Sequence, residues 1–420
     1  METKAEEVRC QGQHTRTENL MCQVNEKSLF DQHLKQSGRK AVGIDGVNKY
    51  AYDVDAENKI KELVCRMKSF SYRPKPVRRT YITKANGKLR PLGIPSYEDK
   101  LVQGVMAELL SEVYEGVFLD CSYGFRPNRN CHDVVKEIYK TVMSKKVNYV
   151  LEADIKGFFD NLDHKWLITF LEHDIADKRF IRYIKRFLIA GIMEGTELKD
   201  SDRGAPQGGL ISPVCANVYL HYVLDFWFQK IIKPRMHGEA YYLRYADDFV
   251  ILFQYESDAK AVMNLLKERL AKFSLELAED KTRIISIGRF SGGNDKFDFL
   301  GFTFFNTTTK NGKYRLRVIS SKKKLKLKRQ AAKAWIMQRM HLPIADTMKL
   351  MASVVRGHCN YYGVNGNFSA INKFVRYLQY SLYRAFNRRD QKGKMKTEVF
   401  WRIWKYYVPA PKICVNIWTW

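Results

Sequence analysis

Two adjacent aspartates, Asp247 and Asp248, interrupt the stretch YLRYADDFVILF, whose other residues are typical of a buried β-strand. Like charges buried side by side are unfavourable unless a cation neutralises them. A tight turn can present such a pair to divalent metal ions. The chemistry that most needs this arrangement is nucleotidyl transfer, in which two metal ions roughly 3.5–4 Å apart activate a 3′-hydroxyl group and stabilise the leaving pyrophosphate.

Such a site needs a further carboxylate from another strand, because Mg²⁺ prefers a few protein oxygens together with phosphates and water. Asp154 ends the strand-like stretch VLEADI and is the natural donor. Asp160 and Asp163 come later, near a predicted helix start, and are weaker candidates. An aspartate pair in a turn is by itself more often solvated surface, so the neighbouring motifs must decide between the two interpretations.

The elements that position these aspartates alternate between strand-like and helix-like patterns. Asn86-Gly87 and Asn311-Gly312 are each typical of a two-residue hairpin turn between strands. Helical spacing follows Ser96, and a glycine-rich turn precedes a long apolar helix after Arg203. The mixture of strands and helices, with hairpins that are not adjacent along the chain, predicts an α+β core around an antiparallel sheet.

The composition indicates a folded protein with a polyanionic partner. The chain has 420 residues, 45% of them hydrophobic, and a net charge of +27, which favours nucleic acid first and a membrane surface second. No apolar run is long enough to span a membrane, and the N-terminus lacks a signal sequence. The eight cysteines form no CxxC pair. Together these features predict reduced thiols and a cytoplasmic location, or the organellar matrix if the chain is organelle-encoded.

The charge is concentrated at the C-terminal end. From Ser320 onward there are 21 Lys and Arg against 3 Asp and Glu, a local charge of +18, interleaved with aromatic residues. Such sequences bind nucleic acid through phosphate contacts and stacking. We therefore predict a domain boundary near 315–322. The division is a loosely held polar extension (1–40), an α+β part (41–315) and a basic helical domain (316–420).

Several segments, taken in order, resemble the motifs of reverse transcriptases. RYADDF is similar to the metal-binding motif, EADIKGFFDNLDH and APQGGLISPVCANVYL to the motifs before it, and LAEDKTRI and FDFLGF to those after it. ITKANGKLRPLGIP and SYGFRPNRN resemble upstream motifs, and RGHCNYYG resembles a maturase region. The ordered set, from about Arg39 to the C-terminus, is similar to the proteins encoded by bacterial and organellar group II introns. The resemblance implies a right-hand polymerase fold, with fingers and palm in 41–315 and a helical thumb or maturase domain in 316–420.

The resemblance implies a catalytic metal site. Asp154, Asp247 and Asp248 would be the catalytic carboxylates and would bind two Mg²⁺ ions, for which Mn²⁺ could substitute. The backbone carbonyl of Ile155 would add a ligand.

It also implies a nucleotide site. Lys84 and Arg90 would clamp the triphosphate, and Phe159 would exclude a 2′-hydroxyl group. Gln207 would lie near the sugar and base, and Lys281 would donate a proton to pyrophosphate. Each residue has an ordinary alternative interpretation. Lys84 and Arg90 could form the solvated tip of a hairpin, and Phe159 could be a core aromatic. Gln207 could belong to an ordinary glycine turn, and Lys281 could be a solvated lysine.

A third group of residues is predicted to contact nucleic acid. For Arg126 an internal ion pair is a nearly equal alternative, and for Tyr361 the alternative is core packing. The predicted contacts are Arg126, Arg129, Lys322, Lys323, Lys324, Lys326, Arg356, Tyr361, Arg388 and Arg389.

We therefore predict an RNA-directed DNA polymerase of a group II intron that adds dNTPs to a primer on an RNA template. It would also bind intron RNA to assist splicing and mobility. The expected partners are intron RNA, an RNA template with a DNA or RNA primer, target DNA and dNTPs, with a homodimer left open and no membrane. No HNH endonuclease is expected. The alternatives are a catalytically inactive RNA-binding splicing factor and a domesticated defence or diversity-generating reverse transcriptase.

Overall fold

The computed structural model describes residues 16–83, 87, 89–195, 197–199, 203–204, 208–293, 295–389 and 394–419. Its strands are β1 (Val77–Thr83), β2 (Leu89–Ile94), β3 (Tyr149–Ala153), β4 (Ile192–Glu194), β5 (Glu197–Lys199), β6 (Ala240–Tyr245), β7 (Asp248–Phe253), β8 (Arg283–Ser286), β9 (Lys296–Phe299), β10 (Phe302–Thr308) and β11 (Tyr314–Ser320). They form three sheets in the orders β2-β1-β4-β5, β6-β7-β3-β8 and β11-β10-β9. All pairings are antiparallel except that of β1 with β4.

The described helices pack against the sheets and form most of the C-terminal quarter. The α-helices are α1 (Glu26–Lys35), α2 (Lys49–Asp53), α3 (Ala56–Lys68), α4 (Tyr97–Glu115), α5 (Cys131–Ser144), α6 (Phe158–Asn161), α7 (His164–Asp174), α8 (Lys178–Leu188), α9 (Ser212–Leu220), α10 (Glu256–Lys272), α11 (Lys322–Arg339), α12 (Ile344–Tyr362), α13 (Phe368–Phe386) and α14 (Thr397–Tyr407). Beyond α9 the helical path continues through π-helical turns at His221–Asp225 and Phe228–Ile232. None of the described helices combines the length and the apolar character needed to cross a bilayer.

The sheet β6-β7-β3-β8 is buried on both faces, which explains the uninterrupted apolar run FVILF in β7. Successive strand side chains point to opposite faces. Phe249 and Ile251 therefore join the hydrophobic core that also contains α4 and α9, whereas Val250 and Leu252 join a second core with α5 and the sheet β11-β10-β9. Burial of such side chains contributes about 1.5–3 kcal/mol each, so the sheet is firmly held where it ends at the aspartates.

The expectation that the first forty residues are loosely held is wrong for residues 16–40. Helix α1 packs on α4, and Leu29 is completely buried between them. The polar side chain of His33 is also buried, because its two ring nitrogens contact the Tyr97 hydroxyl group (2.9 Å) and the Asp53 carboxylate (2.8 Å). Hydrogen bonds thus allow a polar sequence to form part of the core.

The C-terminal helices form a third core of their own and join the β9–β11 sheet through Asn367. This fully buried side chain accepts a hydrogen bond from the Ser320 backbone N–H (2.9 Å) and donates to the Ser320 hydroxyl group and the Tyr362 carbonyl (both 2.8 Å). One asparagine therefore ties the end of β11 to the end of α12. In the structure, β11 ends at Ser320 and α11 begins at Lys322. The division of the chain into domains near 315–322 remains a prediction.

We expect Asn367→Ala to lower the free energy of unfolding by about 2 kcal/mol, because it leaves the buried Ser320 N–H without an acceptor. Urea denaturation measures this change. Asn360→Ala is the matched control, since Asn360 lies nearby on α12 and is exposed. Equal effects of the two substitutions would show that the junction does not depend on Asn367.

Candidate active site

The two aspartates lie at a tight turn between β6 and β7, as the sequence predicts. Tyr245 pairs with Asp248 across the hairpin, leaving Ala246 and Asp247 as the loop. Ala246 has a left-handed backbone (φ 57°), an unfavourable conformation for a residue with a side chain. The turn therefore depends on neighbouring groups to hold its shape.

Asp154 reaches the same place from the adjacent strand. Ala153 pairs with Phe249, so Asp154 follows directly beyond the end of β3, beside the start of β7. On the side away from β7, Asp154 and Ile155 pair with the segment that precedes β8. The Asp154 carbonyl accepts a hydrogen bond from the Ala278 N–H (2.8 Å), and Ile155 forms a β-bridge with Leu277. Because backbone groups alternate in direction along a strand, the Ile155 carbonyl faces the β7 side.

The three carboxylates influence one another electrostatically. Reduced solvation, together with the negative charges of Asp247 and Asp154, raises the pKa of Asp248 to about 6. Burial and the charge of Asp154 also raise the pKa of Asp247. Water still reaches the exposed Asp248 side chain and screens part of the repulsion. In the metal-free protein, ionisation of Asp248 therefore opposes folding as the pH rises through about 6.

Three cationic side chains surround the carboxylates. The Lys281 ammonium group forms an ion pair with Asp154, and this hydrogen bond raises the pKa of Lys281. Arg90, on β2, lies close enough to Asp247 to lower its pKa in opposition to burial. Lys324, on α11, acts in the same way on Asp248. Residues far apart in the sequence therefore converge on one cluster.

The donor set is suited to hard divalent cations, which prefer carboxylate and carbonyl oxygens. In the described part of the chain, however, no three His, Cys, Asp or Glu side chains converge closely enough to hold a metal ion by themselves. Lys281 meanwhile occupies one oxygen of Asp154. The residues fit a metal that binds through few protein oxygens and takes its remaining ligands from phosphate and water.

A comparison with known families decides the identity. Residues 82–304, more than half of the chain, match the family described as Reverse transcriptase (RNA-dependent DNA polymerase). The chain belongs to the reverse transcriptase family. Reverse transcriptases depend on divalent metal ions, which agrees with the carboxylate cluster. The predicted α+β right-hand fold with a helical C-terminal region is confirmed.

The most similar relatives include intron-encoded members of this family. Group II intron-encoded protein LtrA of Lactococcus lactis subsp. cremoris is 29% identical over 443 residues, covering 85% of this chain and 72% of the relative. Protein YkfC of Escherichia coli K12 is 29% identical over 321 residues, covering 69% and 81%. The predicted kinship with group II intron-encoded proteins is confirmed.

Among solved structures, telomerase from Candida albicans in complex with a fragment of telomeric RNA aligns with a TM-score of 0.47 and 13% identity. The alignment covers 85% of this chain and 66% of that chain. The assignment of this reverse transcriptase rests on the family match.

The region predicted to bind the nucleotide is partly described. Phe159 is half-buried on α6 and contacts Phe158, with ring centroids 5.3 Å apart. Gly204 packs on this helix, since a Cβ atom there would lie 2.9 Å from the Phe159 carbonyl oxygen. Gly208 has φ 121°, and a Cβ atom there would lie 2.5 Å from the Gly93 carbonyl oxygen. The glycine-rich turn thus approaches β2, the strand of Arg90, whereas Lys84 and Gln207 lie outside the described residues.

The structure corrects the prediction for Arg126. Its guanidinium group is buried and forms a bidentate ion pair with Glu115 (2.7 and 3.1 Å) as well as bonds to the Leu119 and Ser122 carbonyls. Arg126 therefore forms the internal ion pair that was the alternative interpretation, and its buried guanidinium group is not accessible to a phosphate. Arg129 is partly exposed and pairs with Asp120 (2.7 Å), so it shares the same structural role at the surface.

Two predicted nucleic-acid contacts in the C-terminal helices also have structural roles. The Tyr361 hydroxyl group donates to the Leu300 carbonyl (2.9 Å), which docks α12 on the turn between β9 and β10. Arg389 donates to the Leu342 carbonyl (2.8 Å), and its guanidinium group lies 4.2 Å from the centre of the Phe386 ring. The remaining predicted contacts are exposed to solvent: Lys322, Lys323, Lys324, Lys326, Arg356 and Arg388.

Sequence reasoning missed the buried side chain of Arg244, three residues before Asp247. It forms an ion pair with Asp225 (2.5 Å), and neither side chain has any exposed surface. The sequence did contain an indication of this role. Arg244 is a charged residue within the apolar stretch YLRY of β6, where an unpaired charge is costly and a buried partner is therefore expected.

We expect Mg²⁺ to stabilise this reverse transcriptase strongly at pH 8 and weakly at pH 5.5. With a pKa near 6, about a quarter of Asp248 is ionised at pH 5.5 and nearly all of it at pH 8. Protons compete with the metal for the carboxylate. The rise in Tm on adding Mg²⁺ at the two pH values measures the effect. Asp31→Asn, an exposed residue on α1, should behave like the wild type; equal rises at both pH values would contradict the assignment.

Proposed function

We propose that this reverse transcriptase is the product of a group II intron and adds dNTPs to a primer 3′-hydroxyl group on an RNA template with two Mg²⁺ ions, for which Mn²⁺ can substitute. The observation that supports this most is the cluster of Asp154, Asp247 and Asp248. Three mutually repelling carboxylates at one edge of a rigid sheet are costly in a passive RNA-binding protein. In an enzyme that brings divalent cations and phosphates together, the three carboxylates serve as metal ligands.

The metal-binding residues in this proposal are the three aspartates and the carbonyl oxygen of Ile155. Bound divalent ions lower the pKa of the attacking hydroxyl group and neutralise charge on the leaving pyrophosphate. Asp154, just beyond the end of β3, and Asp247, in the turn before β7, would align the reacting groups. Asp248 adds negative charge that attracts the cations. The positive charge of Lys324 lowers the pKa of Asp248 and so favours its ionised form.

The nucleotide-binding residues in this proposal are Lys84, Arg90, Phe159, Gln207 and Lys281. Arg90, on β2, acts electrostatically on Asp247 and would neutralise the triphosphate. Lys281, which pairs with Asp154, would give up that contact to a bound metal ion, and its Nζ proton would then be available to a pyrophosphate oxygen. Lys84 and Gln207 complete the set by resemblance to the family. By the same resemblance, the half-buried ring of Phe159 would exclude a ribose 2′-hydroxyl group.

The partners of the polymerase are the RNA template with its primer, dNTPs and the intron RNA, with target DNA as the substrate of mobility. Lysines at the start of α11 are exposed, and one of them, Lys324, acts electrostatically on Asp248, so a basic surface beside the active site is available to a bound strand. The thumb or maturase domain would then be residues 316–420. By the resemblance to group II intron-encoded proteins, splicing would be assisted through binding of the intron RNA.

Asp247→Asn should abolish primer extension and leave intron RNA binding nearly intact, because in this proposal it removes a metal ligand and no RNA contact. Extension of a primer on an RNA template with dNTPs and Mg²⁺ measures the first property, and filter binding of intron RNA measures the second. Asp31→Asn is the charge-matched control. If a folded Asp247→Asn protein loses both activities equally, the two functions are not separable. If the wild type binds intron RNA tightly but does not extend a primer, the protein is a splicing factor.

Phe159→Ala should raise the incorporation of rNTPs relative to dNTPs by tenfold or more, because the ring no longer blocks the 2′-hydroxyl group. Single-nucleotide extension with each substrate measures the ratio. Phe159→Tyr keeps the ring and should keep the selection. Unchanged discrimination in the alanine variant would assign Phe159 to the core alone.

A further inference from the structure

Arg244 uses all of its hydrogen-bonding capacity inside the protein. An arginine side chain has five N–H donors. Nε and Nη2 donate to the two carboxylate oxygens of Asp225 (2.7 and 2.5 Å), and Nη2 also donates to the Ser122 hydroxyl group (2.8 Å). Nη1 donates to the Asn217 side-chain oxygen and to the Ala246 carbonyl (both 2.9 Å). The last of these acceptors belongs to the turn that presents Asp247.

The same network holds the turn from its other side. The Asn217 side-chain nitrogen donates to the Gly124 carbonyl (2.7 Å). The backbone of Gly124 lies against the turn, since a Cβ atom there would be 2.3 Å from the Ala246 nitrogen. The amide of Asn217 therefore links Arg244, which holds the Ala246 carbonyl, to Gly124, which limits movement of the Ala246 nitrogen.

Stability alone does not account for this arrangement. Replacement of a buried ion pair by apolar residues of similar size is often neutral or stabilising. Two apolar side chains could therefore hold β6 against the helix that follows α9. They could not donate a hydrogen bond to the Ala246 carbonyl, and the left-handed backbone of Ala246 persists only if its surroundings impose it.

Asp225 is presented to Arg244 by an irregular helix. It is the last residue of the π-helical turn His221–Asp225, and its carboxylate is fully buried. Such turns insert an extra residue and change the direction of the side chains that follow, and they occur frequently at functional sites. The irregularity lies beneath the hairpin turn rather than at the surface.

We propose that Arg244, oriented by Asp225 and Asn217, is a positioning residue that fixes the turn at Ala246 and so sets the place of Asp247 relative to Asp154. The proposal rests on the function proposed above. Mg²⁺ demands nearly ideal octahedral geometry, so a shift of the turn weakens metal binding and slows nucleotide addition. Primer–template affinity and the KM for dNTP should remain unchanged, because the network contacts neither.

The decisive variant is the double substitution Arg244→Met with Asp225→Leu, which removes both charges together and leaves no buried charge without a partner. We expect a cooperatively folded protein whose kcat for primer extension falls at least tenfold. The Mg²⁺ concentration for half-maximal binding, measured by calorimetry without substrates, should rise at least fivefold. The control is Arg66→Met with Glu98→Leu, which removes a partly buried ion pair (2.8 Å) away from the turn and should leave both values unchanged.

Arg244→Lys provides a second variant in case the double variant does not fold. Lysine keeps the charge opposite Asp225 but lacks the planar fork that serves Asp225 and Ala246 at once. The same combination of lowered kcat, weakened Mg²⁺ binding and unchanged KM is expected.

A folded variant with wild-type kcat and Mg²⁺ affinity would overturn the proposal, as would a loss of activity that only follows the fraction of unfolded protein. If the wild type binds Mg²⁺ but does not extend a primer, the proposed function fails. The calorimetric comparison then still decides the role of Arg244.

Discussion

The repulsion among Asp154, Asp247 and Asp248 is the constraint around which the rest of the structure is arranged. The charge of Asp154 raises the pKa of both Asp247 and Asp248, and like charges push their strands apart unless the backbone is held rigidly. The sheet β6-β7-β3-β8 supplies that rigidity because both of its faces are buried in separate hydrophobic cores. Cations then approach from three directions, on β2, on α11 and in the segment before β8.

This arrangement makes the active site a product of long-range contacts. Arg90 and Lys324 are more than two hundred residues apart in the sequence, yet both moderate the same aspartate hairpin. The C-terminal helices can contribute because α12 is docked on the turn between β9 and β10 by Tyr361, and because Asn367 ties its end to β11. The basic quarter of the chain is therefore connected to the catalytic sheet by specific polar contacts, in addition to its own hydrophobic core.

The hairpin, the strand of Asp154 and most helices could be predicted because their signals are local. Two aspartates between apolar runs indicate a turn, and alternation of two or 3.6 residues indicates strands or helices. The internal role of Arg126 and the network of Arg244 could not be predicted, because the sequence does not show which acceptors surround a guanidinium group. Ser122, one partner of Arg244, lies 122 residues away along the chain. The order of residues 16–40 was missed for a related reason: His33 is polar, and only its buried partners explain its position.

The ion pair between Lys281 and Asp154 has a consequence for how the proposed metal site is filled. Many metal proteins cannot fold until the metal arrives, because their ligands repel one another in its absence. Here a lysine of the chain itself serves as a temporary counter-ion for one of the carboxylates. If the aspartates bind divalent ions as proposed, an ion that binds Asp154 must displace the Lys281 ammonium group. The affinity of the site for metal would then depend on the strength of an ion pair within the chain.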